Sequence, residues 1–377
     1  MTKEKENEKT LDKADALRHK ALYRQSLSVL RAAEKSLEPQ NHEDLFHCHL
    51  LSGHNWRMLG DFNKAITHYE KAELHAKELQ GKARQADAAA SLALSHRAQG
   101  DWKKALKLLV QSEKIYKKLN DEEALAFVLW SKGGTLRIKG DIDGAIKAFS
   151  EAKQIFTRLG DQHAAGYCLN GLGGAFRIKG SYKSSLSNYT RAHTLFRKLK
   201  DPFGVAYSYC GIGNALRMSG DHKGALQYFR KALKVYKRIG DIVSSSYTLW
   251  SSGKSLALMD KRNEALDALK EAEKLFTKTK DPRGKIYCLL SRAELQAMKG
   301  GIKNAAKLAQ KALEAAKEHG FAVEACHASG LLEHFSLSLV PNPHGISNPK
   351  GARVKPDCYK ELGLKMPDFS VLPVNIP

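Results

Sequence analysis

The chain has 377 residues, 42% of them apolar, and a formal charge of +22. That composition excludes a wholly disordered protein and favours an anionic partner such as an acidic peptide, nucleic acid or a phospholipid surface. No apolar run approaches the roughly 18 residues of a membrane helix, and the first ten residues are charged, so a cytoplasmic protein without a membrane span is expected.

Residues 1–10 are almost entirely polar and are predicted to be a disordered tail. From Leu11 a pattern sets in whose turn signal returns every forty residues: Gly60-Asp61, Gly100-Asp101, Gly140-Asp141, Gly180-Ser181 and Gly220-Asp221, with weaker copies at Asp260-Lys261 and Gly300-Gly301. A fixed period of this kind means one supersecondary unit stacked many times. The stretch from Leu11 to about residue 40 is a degenerate first copy, as expected of a terminal capping unit.

Each unit is predicted to be two helices, A and B. Between Asp161 and Lys200, Tyr167, Cys168, Leu169, Leu172, Phe176 and Ile178 make one amphipathic stretch, and Tyr182, Leu186, Tyr189, Ala192 and Phe196 make the next. Glycine ends helix A in the left-handed conformation, and the following Asp or Ser caps helix B. Asp121, Asp161, Asp201, Asp241 and Asp281 mark the start of helix A, with Pro202 and Pro282 at the first helical position. Two columns of small residues, Gly133, Gly173, Gly213 and Gly253 on helix A and Ala105, Ala145, Ser185 and Ala225 on helix B, mark where the pair crosses closely. Cys48, Cys168 and Cys288 share one repeat position, as small core fillers do.

On these columns, with Tyr69, Phe149, Tyr189 and Phe229 and the alanines three residues later, the sequence resembles the tetratricopeptide repeats, over residues 11–320. Its period exceeds the usual 34 residues and is similar to that of the Leu-Gly-Asn repeat adaptors and kinesin light chains, although only Gly213-Asn214 keeps a Gly-Asn pair. The resemblance implies an all-α, right-handed superhelical solenoid of about eight antiparallel helix pairs, closed by a capping helix over residues 321–339. Residues 340–377 hold seven of the ten prolines and are predicted to be an extended tail. Their apolar side chains suggest that the tail docks on the array, with Asp357, Glu361 and Asp368 as candidates to meet arginines.

The resemblance also places four columns of helix A on a concave groove. One holds Phe127, Tyr167, Tyr207, Tyr247 and Tyr287; another holds Trp130, Asn170, Cys210 and Trp250; a third holds His54, Asn214 and Lys254. The fourth is arginine: Arg57, Arg97, Arg137, Arg177 and Arg217, replaced by Ala257 and Ala297 in the weaker copies. Helices about 10 Å apart would space these guanidinium groups like every third residue of an extended strand. Four of the five have aspartate four residues later, so a bridge within each turn is the competing structural role.

The expected function is a non-catalytic adaptor that binds an extended or acidic segment of another protein without a cofactor. Arg97, Arg137, Arg177 and Arg217 would hold carboxylates or carbonyls. Tyr167, Tyr207, Tyr247, Tyr287, Trp130 and Trp250 would form the aromatic lining, and Asn170 and Asn214 would bond the peptide backbone. Interleaved tyrosine and arginine make single-stranded nucleic acid the second partner class. His47, Cys48, His49 and His54 are poorly placed for one metal, because positions two apart face different sides of a helix. Ser251-Ser252-Gly253-Lys254 lacks the companion motifs of the hydrolases that use a Ser-x-x-Lys pair.

Overall fold

The computed structural model describes residues 3–339 and 357–377. Its first sixteen helices form eight pairs: α1 (Lys3–His19) with α2 (Tyr23–Ser36), α3 (His42–Met58) with α4 (Phe62–Glu78), α5 (Lys82–Ala98) with α6 (Trp102–Leu119), and α7 (Glu122–Lys139) with α8 (Ile142–Arg158). Next come α9 (Gln162–Lys179) with α10 (Tyr182–Lys198), α11 (Pro202–Met218) with α12 (His222–Ile239), α13 (Ile242–Leu258) with α14 (Arg262–Thr279), and α15 (Pro282–Ala297) with α16 (Ile302–His319). α17 (Ala322–Leu339) packs on the last pair, and the short α18 (Cys358–Glu361) follows.

Local chemistry sets the helix boundaries. Asp141 accepts from the amide of Gly144 at 2.9 Å, Asp161 from Ala164 at 2.9 Å and Asp281 from Gly284 at 3.0 Å, so each satisfies an orphan donor in the first turn. Gly140 and Gly180 end their helices at φ 98° and 91°, and where glycine is missing Asn120 and Lys200 adopt φ 53° and 55°.

At the central joints stacking is governed by a single ring. The Phe149 ring lies against Gly133 of its own A helix and Gly171 of the next, where an added Cβ would come within 2.9 and 2.5 Å of it. Tyr189 is held in the same way by Gly173 and Gly211, at 2.9 and 2.1 Å. No side chain fits between ring and backbone at these joints, so successive A helices approach closely. Neighbouring odd-numbered helices touch along the whole array and even-numbered helices do not touch comparably, which puts the A helices on the inner wall. The curvature brings distant units together: Trp102 Nε1 donates to the His319 carbonyl at 3.0 Å, and Gly100 abuts Pro282 and Phe321.

Two terminal expectations are corrected. Residues 3–10 belong to α1 and are not a disordered tail. Ala14 is buried and its carbonyl accepts from Ser26, while Asn7 donates to Asp44 at 3.0 Å, so a polar sequence is held helical by packing further along the same helix. The tail from residue 340 is not simply extended where it is described, since α18 forms within it, Tyr359, Leu364, Phe369, Val374 and Ile376 are buried in the main core, and Cys358 is disulfide-bonded to Cys326 of α17. The rest of that stretch, 340–356, lies outside the described residues. Asp357, Glu361 and Asp368 are exposed and do not meet the arginines; Asp368 accepts from the amide of Ser370 instead.

Gly211→Val forces a side chain into the Tyr189 ring, and a stability loss of about 1–3 kcal/mol or more is expected in chemical denaturation. Acid should also weaken the fold. His49, facing His68, and His327, facing the Tyr359 hydroxyl, are both pushed down by burial to about 4. The folded chain keeps them neutral while the unfolded chain would take up protons near 6.5, so this stability is complete above that pH and drains away towards pH 4. The thermal midpoint measured by circular dichroism should therefore be lower at about pH 5 than at about pH 7.5.

Candidate binding groove on the inner wall

The forty-residue period returns each repeat position to the same place on successive A helices, so the arginine column becomes a row along the inner wall. Arg97, Arg137 and Arg217 reach forward to the next unit, Arg217 over the Trp250 ring. Arg97 lies over Gly134, where a Cβ would sit 2.2 Å from its Nη1, and donates from Nη1 to the Ser131 carbonyl at 3.2 Å. Arg137 lies over Gly174 in the same way. The aspartates four residues on are spent elsewhere: Asp61, Asp101, Asp141 and Asp221 accept from the amides of Lys64, Lys104, Gly144 and Gly224 as N-caps. The bridge within the turn is therefore not the role the geometry gives this column.

Several guanidinium N–H groups in the row are buried without a hydrogen-bond partner among the described residues: Nε of Arg57, Arg137, Arg177 and Arg217, and Nη1 of Arg177. A cavity of about 640 Å³ opens beside the first members of the row, lined by Arg57, Arg97, Arg137, Trp130, Tyr167 and Tyr207 among others. Its carboxylates are Asp161 and Asp201, and both are engaged; Asp161 caps α9, and Asp201 accepts from the Tyr167 hydroxyl at 2.6 Å and pairs with His163 at 2.9 Å. Burial, with Arg137 and Arg57 nearby, pushes Arg97 down to about 10. Burial and Arg177 push Arg217 down to about 9. Like charges crowd the wall, and an anion or a row of carbonyl oxygens would relieve them.

The aromatic columns divide. Tyr167 and Tyr207 line the cavity, Tyr207 stacked on Phe203 with ring centroids 6.0 Å apart. Tyr167 donates to Asp201, Tyr247 to Asp281 at 2.8 Å and Tyr287 to Glu324 at 2.6 Å, so all three join consecutive units, and Tyr167 alone of them also lines the cavity. Trp130 lines the cavity and donates to the Tyr167 carbonyl at 3.3 Å, whereas Trp250 is buried and donates to the Tyr287 carbonyl and to Ser291. Asn170 is buried with neither end of its amide bonded, and Asn214 bonds the Cys210 carbonyl and Arg217.

Towards the C-terminal end the wall changes character. The column that holds Gly134 and Gly174 carries Lys254 and Glu294 further on, joined at 2.6 Å with both side chains 1% exposed. Lys254 belongs to this pair and not to a Ser-x-x-Lys site. Burial lowers the Lys254 pKa and raises that of Glu294, each opposed by the attraction of the partner. The other oxygen of Glu294 accepts the Val374 amide at 2.8 Å. Arg217 donates from Nη1 to Asn375 Oδ1 at 2.6 Å, and its carbonyl accepts from Asn375 Nδ2 at 2.9 Å. Sequence reasoning missed Glu294 and Asn375. Opposite charges forty residues apart were a signal for the first, and Asn375, outside the period, carried none.

The sequence profile of the tetratricopeptide repeat matches residues 48–118, 124–198 and 168–238. No curated protein sequence matches the chain significantly. Among solved structures it is similar to a Rap protein complexed with Competence and Sporulation Factor, with TM-score 0.61 and 14% identity over 88% of this chain and 98% of that one. A Rap conjugation gene regulator in complex with a Phr peptide gives TM-score 0.61 at 15% identity, over 84% and 96% of the two chains. The apo form of the quorum sensor NprR from B. thuringiensis gives 0.54 at 15%, over 89% and 94%. At these identities the likeness concerns the fold, and it agrees with the repeat profile and with the helix pairs seen here. The chain is a tetratricopeptide-repeat protein.

Proposed function

We propose that the chain is a non-catalytic adaptor or regulator that holds an extended segment of another protein along its inner wall. The observation that carries this is the row of buried guanidinium N–H groups without partners among the described residues, of which those of Arg57 and Arg137 belong to side chains that line an open cavity. Buried cations left unpaired are costly, so a ligand supplying carboxylates or backbone carbonyls gains more here than at a solvated surface. Arg97, Arg137 and Arg177 bind those oxygens, Tyr167, Tyr207 and Trp130 offer apolar surface between them, and Asn170 bonds the peptide backbone. The Rap structures described above, complexed with Competence and Sporulation Factor and with a Phr peptide, support the same use of the fold.

Single-stranded nucleic acid fits the geometry less well. Base stacking needs free aromatic faces in series, but Tyr247 and Tyr287 are tied to Asp281 and Glu324 between units. The full chain carrying Arg137→Ala and Arg177→Ala separates the possibilities in a pull-down from the native cell. Two lost charge-assisted contacts at about 1.5–3 kcal/mol each should reduce partner recovery by about a hundredfold or more, with the helical spectrum unchanged. Equal recovery by the folded variant overturns the proposal. Arginine-dependent retention of an oligonucleotide that weakens steeply with salt favours the nucleic-acid class.

A further inference from the structure

We infer that residues 374–376 are a built-in occupant of the groove, and that the partner segment is an extended peptide presenting an asparagine side chain between two aliphatic residues, which displaces them. The inference rests on the peptide-binding reading above and specifies its ligand. Asn375 meets Arg217 in both directions, accepting from Nη1 at 2.6 Å and donating to the main-chain carbonyl at 2.9 Å. A carboxamide offers a separate acceptor and donor side by side; a carboxylate has no donor and an aliphatic residue has neither. The site therefore reads a carboxamide, here the short one of asparagine, and not general acidity.

One residue earlier, the Val374 amide donates to Glu294, a contact that any non-proline residue can make. Lys254 holds Glu294 from the other side, so the acceptor is fixed before a peptide arrives. Val374 and Ile376, 1% and 2% exposed, flank the asparagine and belong to the same core cluster as Trp250 and Tyr287. An amide side chain, a main-chain donor and two aliphatic anchors within three residues are what an extended ligand offers a groove.

The placement argues for competition. Arg217 is the last member of the arginine row, and its charge is felt next to Arg177, which has two buried N–H groups without partners. A segment running along Arg137 and Arg177 reaches Arg217 and meets Asn375 there. The resident residues are also independently moored: Cys358 is bonded to Cys326, and the Phe369 ring lies against Gly330, where a Cβ would come within 2.4 Å of it. With those anchors in place residues 374–376 can leave and return at a high effective concentration, which sets a threshold for any ligand in solution.

The test uses a fluorescent peptide of residues 370–377, Ser-Val-Leu-Pro-Val-Asn-Ile-Pro with both ends capped, titrated with full-length chains. The Asn375→Ala, Ile376→Ala double variant should bind it at least about tenfold more tightly than the native chain, because the tethered competitor is weakened. A second probe with leucine in place of the asparagine should bind that variant about tenfold less tightly, a comparison within one folded protein. Equal binding of the first probe to both chains, or equal binding of the two probes to the variant, overturns the inference. If it fails while partner recovery still depends on Arg137 and Arg177, the groove stands and the resident segment is not its competitor. Loss of arginine dependence with the asparagine preference intact removes the proposed adaptor function alone.

Discussion

An aromatic ring wedged between two glycine backbones, at the two central joints of the array, is the constraint from which its inner wall follows. Phe149 and Tyr189 each fill the space between their own A helix and the next one, against Gly133 and Gly171 in the first case and Gly173 and Gly211 in the second. Because neither backbone carries a side chain at the contact, the A helices draw closer than the B helices on the outside, and the stack must curve towards its A side. Curvature then turns a column in the sequence into a row on a concave wall. It also brings the carbonyl of His319 to the indole of Trp102, more than five repeats away.

Such close approach dictates what can stand at the next position along the A helix. Arg97 and Arg137 lie flat over Gly134 and Gly174, where any Cβ would collide with the guanidinium. Both arginines are thus covered by the backbone of the following unit, and the Nε of Arg137 is left buried without a partner among the described residues. Burying positive charge in series is unfavourable, and Arg97 and Arg217 both register it in depressed pKa values, through burial first and a neighbouring arginine second. A scaffold with many cooperative joints tolerates that cost, and uncompensated cost concentrated on one wall is the usual mark of a binding surface.

Much of the architecture was legible because it is periodic. The turn glycines, the capping aspartates and the small-residue columns each recur, so every copy corroborates the others; eight helix pairs and a final helix could be counted from them. The direction of the arginines was not legible. A column fixes where a residue sits within its own repeat but says nothing of its relation to the next one, and an aspartate four residues away offered an equally regular explanation that the N-cap bonds of Asp61, Asp101, Asp141 and Asp221 displace. Features present once left still less trace. The helical start at Lys3, the Cys326–Cys358 bond and the contact of Asn375 with Arg217 all depend on encounters between segments that no local pattern encodes.

The column after the crossing glycine varies from unit to unit in chemical type: His54, Leu94, Gly134, Gly174, Asn214, Lys254 and Glu294 in succession. Glycine lets the preceding arginine lie against the backbone and keep its N–H groups unspent. Asn214 supplies an acceptor 3.4 Å from Arg217. Lys254 and Glu294 neutralise each other completely out of water, leaving one carboxylate oxygen for a main-chain amide. The wall therefore passes from unpaired positive charge to self-compensated charge along its length. An extended chain on such a wall would meet donors for its oxygens at one end and an acceptor for an N–H at the other, so its contacts differ along its length.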